Sequence, residues 1–403
     1  MAFNLAIKKF LFNEKLNNFW IGFSSWIISF TIWCPSFTYY IYTPGGRRKE
    51  LLMQCSDPFR KDVSYYVHSR ILHPLISNLF GLCSTEFNSL RSLISAPGIA
   101  LISSIILLTL ISGFLKKYNS KFIAIFGCLL IASSSTIQWS NWVWGTPDSI
   151  ALLMIGIILL IRNKFCMSLL LFAGSLCDER IFLSVPSIIF FKFAIDSNFF
   201  ENKNYNLLKF VRPLVLPFLF SFLIFLIFKI FLVKEALTDV NMNEGVISHS
   251  QTFISYFNRL FNPKKYLDLI WLFFNGFRWG WVLIFISYYQ MFKQKKILET
   301  FFYLFSLLIC IVPILIVADV SRSIAFIFPL LLFAISYLDN KDLIIRKVSI
   351  KKLLFILLFL NILTPAGITS KLLGFPESLV YIDNFYIQYP LPIRIWRFII
   401  YKN

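Results

Sequence analysis

Apolar residues come in long runs separated by short polar turns, and that alternation sets the expected architecture. The runs occupy about 19–42, 94–115, 122–140, 149–161, 165–177, 181–194, 211–233, 268–292, 301–318, 323–338 and 353–369. Most approach the roughly 20 residues a helix needs to cross the hydrocarbon core of a bilayer. The runs at 149–161, 165–177 and 181–194 are shorter and read as half-spans packed inside a bundle, an arrangement tolerated where protein surrounds them. The expected fold is therefore all-α, a polytopic transmembrane helical bundle of about 11 helices. Residues 44–93 form a first external loop, 234–267 a second, and 370–403 an external tail. In the first loop, Ile71, Leu72, Leu75, Ile76 and Leu79 stand at helical spacing and predict an amphipathic helix on the membrane surface.

Composition agrees with a membrane chain. Hydrophobic residues make up 58% of the 403 positions, against about 45–50% in soluble domains. The net charge of +19 gathers in turns such as Lys116–Lys121, Arg162–Lys164, Lys293–Lys296 and 340–352. Basic turns mark the cytoplasmic side. This places the amino terminus on the cytoplasmic side of a membrane crossed many times. The same rule explains the charge without nucleic acid, for which no soluble basic domain is present. Lys8, Lys9 and Lys15 before the run from Phe19 have the layout of a signal peptide. The run is too long and no small-residue cleavage site follows, so a retained first helix is expected. None of the seven cysteines forms a CxxC or a Cys/His metal spacing. Cys55 and Cys83 share the first external loop, where either a disulfide or two thiols fit the sequence.

On this layout a set of carboxylates falls on the external side, several of them at helix ends. They are Asp57, Asp62, Asp148, Asp178, Glu179 and Asp319, accompanied by Arg70, Arg180 and Arg322. Acidic groups at a bilayer boundary are costly unless paired or wet. Asp57 and Asp62 suit a general base or a metal ligand in a surface cleft. They equally suit a solvated amphipathic helix whose Arg60, Lys61 and Arg70 touch lipid phosphates. Arg70 is placed to grip a phosphate, and His73 beside it suits hydrogen bonding rather than ligation. Asp148 can cap a helix start after Pro147 or belong to a site. Asp178-Glu179-Arg180 between two apolar runs suits a paired or cavity-lining group. Asp319 and Arg322, three apart, can pair on a helix face, or Arg322 can hold a phosphate. Arg278 is a weaker candidate inside the 268–292 run. The Trp139, Trp142 and Trp144 group reads as an interfacial aromatic belt. No P-loop, GxGxxG, HExxH or GxSxG motif occurs.

Four short stretches together resemble bacterial GT-C-type membrane glycosyltransferases, the polyprenyl-phosphate-sugar-dependent superfamily. They are Arg70-Ile-Leu-His73-Pro-Leu75 after a charged Asp-bearing segment, Thr146-Pro-Asp148-Ser-Ile-Ala-Leu-Leu153, Cys177-Asp-Glu-Arg180-Ile-Phe-Leu-Ser-Val-Pro186, and Asp319-Val-Ser-Arg322 with Pro329. The correspondence runs through about residues 20–335. It implies a polyprenyl-phosphate-linked sugar donor reached from the lipid bilayer and a glycan or lipid acceptor entering from outside. It further implies Asp57 or Asp62 as base and Arg70, Arg180 or Arg322 as holder of the departing phosphate. Some members use a divalent metal and others do not. The chain departs from better-known members in lacking a large soluble carboxy-terminal domain, and its second external loop is modest. The other readings of the same residues are a flippase or exporter of a lipid-linked precursor and a non-catalytic partner in an envelope complex.

Overall fold

The computed structural model describes residues 14–32, 53–59, 70–83, 98–134, 136–138, 148–196, 207–239, 266–316, 320–340, 349–364, 366–367 and 387–388. These residues are helical apart from turns and one two-residue antiparallel pair, Ala366–Gly367 with Ile387–Gln388. The helices are α1 (Glu14–Ile32), α2 (Leu72–Leu79), α3 (Ile99–Tyr118), α4 (Lys121–Ala132), α5 (Asp148–Leu160), α6 (Lys164–Ser175), α7 (Val185–Asp196), α8 (Leu207–Asp239), α9 (Tyr266–Phe277), α10 (Trp281–Lys293), α11 (Ile297–Ile316), α12 (Val320–Ile324), α13 (Phe328–Asn340) and α14 (Ile350–Leu363). Short 3₁₀ turns at Glu179–Ser184, Arg278–Gly280 and Ala325–Ile327 lead into α7, α10 and α13.

Among the described residues, four helical segments are long and apolar enough to cross a membrane: Ile99–Tyr118, Val211–Phe231, Ile270–Lys293 and Arg322–Asp339. The stretches Lys121–Ala132, Asp148–Leu160, Lys164–Ser175 and Ile297–Val312 are apolar but shorter. At 1.5 Å per residue, the 13 residues of α5 reach about 20 Å, less than the roughly 30 Å hydrocarbon core. Not every expected run is therefore a full span. The expected second loop begins later than 234, because α8 continues to Asp239. Of the expected tail at 370–403, only Ile387 and Gln388 are described.

Two of the spans occupy opposite environments. Nearly every residue of Arg322–Asp339 is buried, with α3, α4, α7 and α10 packed around α13. Phe333 sits against Phe190 and Tyr303, with ring centroids 4.9 and 5.6 Å away. Val211–Phe231 instead leaves Leu216, Phe220, Leu223 and Ile230 exposed, as a lipid-facing helix does. It carries Pro213 and Pro217. The Pro217 carbonyl accepts from the Ser168 and Ser221 hydroxyls at 3.0 Å each, tying α8 to α6.

Helix starts are fixed by local chemistry. Asn163 Oδ1 accepts from the Phe165 and Cys166 amides and caps α6, which satisfies two otherwise orphaned donors. Ser349 caps α14 through the Lys352 amide. At α4, the Asp339 carboxylate from the far end of α13 accepts from the Ser120 amide at 3.2 Å, an anion placed at the positive end of a helix.

Expected run 268–292 is not one helix. It breaks at Arg278, which adopts φ +52, a left-handed conformation uncommon for a residue with a Cβ. The break turns the guanidinium inward. Arg278 is fully buried, and its Nη1 donates to the Ser133 carbonyl at 3.2 Å and the Asn361 carbonyl at 3.3 Å. Asn361 in turn donates to Ser133 Oγ and accepts from the Trp279 amide. Arg278 is thus an internal bolt joining the ends of α4, α9 and α14.

Helix α1 packs backbone-close against α3. An ideal Cβ built on Gly22 would lie 2.6 Å from the Thr109 amide nitrogen. Small residues at such contacts let backbones approach. Gly22→Ala should cost about 1–3 kcal/mol through overpacking against backbone. The check is the unfolding midpoint of the detergent-solubilised protein, and an unchanged midpoint contradicts this packing.

Candidate functional site

The candidate site is built by four segments that meet at one end of α5. Asp148 is the first residue of α5 and is buried. At the end of α6, the chain turns through Leu176 and Cys177 and extends at Asp178, with φ −156 and ψ 119. Asp178 Oδ1 accepts from the Arg180 amide at 3.0 Å and so starts the 3₁₀ turn. That turn throws the Arg180 side chain back over its own cap. The third segment, α12, supplies Arg322 and Ser323. The fourth is the start of α2: the Leu72 amide donates to the Leu176 carbonyl at 3.2 Å, which docks Arg70 beside Asp178.

The side chains form one network. Arg180 Nε donates to Asp178 Oδ1 at 2.8 Å, and Nη2 to Oδ2 at 2.5 Å. Its Nη2 also reaches Asp148 Oδ2 at 3.4 Å, and Nη1 donates to Ser323 Oγ at 3.3 Å. The Phe326 ring covers the same guanidinium, 5.4 Å from centroid to Cζ. Arg322 makes a two-point contact through Nε and Nη2 with Asp148, and lies 3.8 Å from Asp178 Oδ2. Arg70 is held more loosely, with Nη2 3.5 Å from Asp178 Oδ2 and Nε 3.8 Å from Glu179 Oε2. Three guanidiniums face three carboxylates, so the group is formally neutral.

Burial grades across the network. The Asp148 and Asp178 side chains are 2% and 0% exposed, while Arg70 is 16% and Glu179 32% exposed. The Arg70–Glu179 corner is thus the side open to solvent or ligand. Burial by itself would raise the Asp178 carboxyl. The guanidiniums of Arg180, Arg70 and Arg322 outweigh it and hold Asp178 well below the usual carboxylate range. At Arg70 burial works to lower the guanidinium, and the Asp178 and Glu179 carboxylates more than compensate, leaving it above its ordinary value.

The sequence-predicted residues divide into three sets. Arg70, Asp148, Asp178, Glu179, Arg180 and Arg322 are brought together. His73 is buried in the first turn of α2. Asp57 is elsewhere. It is exposed and accepts from the Phe59 amide at 3.2 Å, a local turn contact. The Cys55–Cys83 disulfide and the Asn78 amide, which donates to the Cys55 and Ser56 carbonyls, hold that segment at the far end of α2. Eight residues of helix separate the two ends by about 12 Å. Asp62, Asp319, Trp139, Trp142 and Trp144 lie outside the described residues.

Helix α2 forms, but its fully buried positions are His73, Pro74 and Ser77. Leu72 and Ile76 are half-buried and pack against the core, while Leu79 and the following Phe80 are each 74% exposed. Its polar side contributes to docking on the charged end of the bundle. Arg322 reaches across 174 positions to Asp148. Ser323 and Phe326, which complete the Arg180 environment, carry no sequence signal beyond standing near Arg322.

A divalent metal does not fit these residues. The carboxylates of Asp148 and Asp178 each face at least two guanidiniums, which a dication would have to displace. Among the described residues no three His, Cys, Asp or Glu side chains are arranged to hold a metal ion.

At the opposite end of α5 lies a separate cavity of about 360 Å³, lined in part by Lys117, Arg162 and Lys192. No protein-family model, curated protein or solved structure matches the chain.

Proposed function

We propose that the chain is a membrane glycosyltransferase of GT-C type, moving a sugar from a polyprenyl-phosphate-linked donor to a glycan or lipid acceptor at the external membrane face. The observation that supports this reading is the convergence of Arg70, Arg180 and Arg322 from distant parts of the chain on Asp148 and Asp178. Arg180 and Arg322 are saturated by carboxylates and act as positioning residues. Arg70, loosely held and partly exposed, takes the donor phosphate. Glu179 beside it is the accessible carboxylate of the group and takes the acceptor proton. Asp62 keeps its place as the alternative base, and Asp57 has the weaker position. The acceptor oxygen bonds to the anomeric carbon as its proton passes to the carboxylate. The anomeric carbon–oxygen bond to the phosphate breaks, and the phosphate leaves with the electron pair, facing Arg70. The Cys55–Cys83 disulfide supports an external location for this end, since such bonds persist in oxidising compartments. That end is also the one opposite the basic turns, as the positive-inside rule requires.

The test is sugar transfer from a lipid-linked donor by the reconstituted protein and by Glu179→Gln, Asp62→Asn, Asp57→Asn and Arg70→Gln variants. Loss of about 100-fold or more is expected for one carboxylate variant, the scale of general-base catalysis, and for Arg70→Gln. Full transfer by all four sinks the assignment. A second reading, an exporter or flippase of an anionic lipid-linked precursor, is favoured by the basic cavity at the other end of α5. It predicts movement of labelled lipid between leaflets without sugar transfer.

A further inference from the structure

We infer that the basic cavity at the end of α5 away from the charge network is a binding site for the phosphodiester head group of an anionic glycerophospholipid. The site is distinct from the donor site proposed above. Its cavity, of about 360 Å³, falls within the range of small-molecule pockets. Lys117 comes from the last turn of α3, Arg162 from the turn after α5, and Lys192 from α7. Among the described lining residues three are cations and none is a carboxylate.

Each cation has a structural reason to stay there. Lys192 is buried, and its Nζ donates to the Ile161 carbonyl at 2.5 Å and the Leu159 carbonyl at 3.5 Å. These carbonyls lie at the negative end of α5 and solvate the ammonium. Lys117 Nζ rests over the Tyr118 ring, 5.1 Å from its centroid. Arg162 is exposed at the rim. The Asn18 side-chain oxygen, also in the wall, is buried without a hydrogen-bond partner among the described residues. An amide at that position suits a head group that presents hydroxyls as well as phosphate oxygens.

The rest of the wall points to a lipid rather than to free phosphate. Leu110 and Leu160 line the same cavity, and Leu160 is 49% exposed. Above them on α3, Ile102 and Ile106 are exposed on a helix long and apolar enough to span a bilayer. Lys116 and Lys117 close that helix, where long cationic side chains reach the membrane interface. Apolar wall towards the bilayer and cationic wall towards water match a lipid head group with its first acyl carbons. Basic pockets between spanning helices bind anionic head groups in this way.

The experiment compares full-length protein in nanodiscs or detergent with phosphatidylglycerol and with phosphatidylcholine, using native mass spectrometry to count retained lipids and a titration for affinity. Phosphatidylglycerol should be retained in preference. The Lys117→Gln/Arg162→Gln double variant, altered only at exposed side chains, should weaken its binding roughly 10- to 30-fold, the scale of two lost cations near a membrane surface. The control Lys351→Gln/Lys352→Gln removes the same charge from exposed positions on α14 and should stay within about twofold of the parent. Equal loss in both double variants, or no loss in either, overturns the proposal. Displacement of the bound lipid by millimolar inorganic phosphate, with no preference between the two lipids, overturns the lipid assignment in favour of a free-phosphate site. Sugar-transfer assays are read separately, so failure here leaves the catalytic proposal standing and the reverse also holds.

Discussion

Replacing Asp148 by Leu should destabilise the protein by about 3–5 kcal/mol, because it leaves Arg322 buried without its two-point partner. Arg322→Met should cost a similar amount by stranding Asp148. The double variant Asp148→Leu/Arg322→Met should recover most of that loss. Removing both members leaves Arg180 with Asp178 and Arg70 with Glu179, a group still formally neutral. A buried pair exchanged for apolar side chains is often no less stable than the original. Chemical unfolding in mixed detergent measures all three, and simple additivity of the single costs contradicts the pairing. The double variant also separates two roles of the network. If it folds and loses sugar transfer, the ions serve the reaction. If it folds and transfers normally, they serve the packing of helix ends.

The same network sets an acid limit. Asp178 has a lowered folded-state value, so its ionised form is favoured by folding. Its contribution is fully present above about pH 4, the ordinary range for Asp. It is lost as pH falls toward the depressed value. The parent protein should therefore lose stability below about pH 4 more steeply than Asp178→Asn, which is less stable at neutral pH but lacks this acid-sensitive carboxylate.

Reduction of Cys55–Cys83, or Cys55→Ser, should cost about 3–4 kcal/mol. The bond closes a loop with a sequence separation of 28, and a loop of that length restricts the unfolded chain by about this amount. The effect should reach the charged end of the bundle, because the loop carries α2 and with it Arg70. With the loop released, the Leu72–Leu176 hydrogen bond and the long Arg70 contacts at 3.5 and 3.8 Å are what remain to hold that arginine. Proteolysis within residues 55–83 should accelerate on reduction, and the apparent affinity for the proposed lipid-linked donor should fall. Unchanged proteolysis and affinity would mean that the loop is held by its other contacts alone.

Much of the architecture is legible from hydropathy and charge. The polar breaks near Lys116, Arg162 and Asp178 lie at or next to helix ends in the structure, because a bilayer-crossing chain must turn where it reaches water. The gathering of Asp148, Asp178, Arg180 and Arg322 at breaks of one side likewise follows from the cost of leaving charge in an apolar layer. Which charge meets which is not legible. Local spacing offers Arg322 only its near neighbours, and nothing in the sequence points to Asp148, 174 positions away, which it meets in a two-point contact. Asp57 looked equivalent to Asp62 and close to Arg70 in the chain. The disulfide and the length of α2 put it at the end of α2 away from Arg70.

Hydropathy identifies Val211–Phe231 and Arg322–Asp339 alike as membrane-length apolar helices. It does not say that the first faces outward while the second is enclosed by α3, α4, α7 and α10. Lipid tails and a protein interior are equally apolar, so burial in either demands the same side chains. Choosing between them takes packing shape: Gly22 against the Thr109 backbone, Phe333 between Phe190 and Tyr303, and Arg278 turned inward at a break in its helix. The alternation of apolar runs and charged turns thus dictates a helical membrane protein and the segment ends where chemistry can sit. Long-range packing selects which of those ends meet, because contact between residues so far apart in the chain depends on how whole helices fit together.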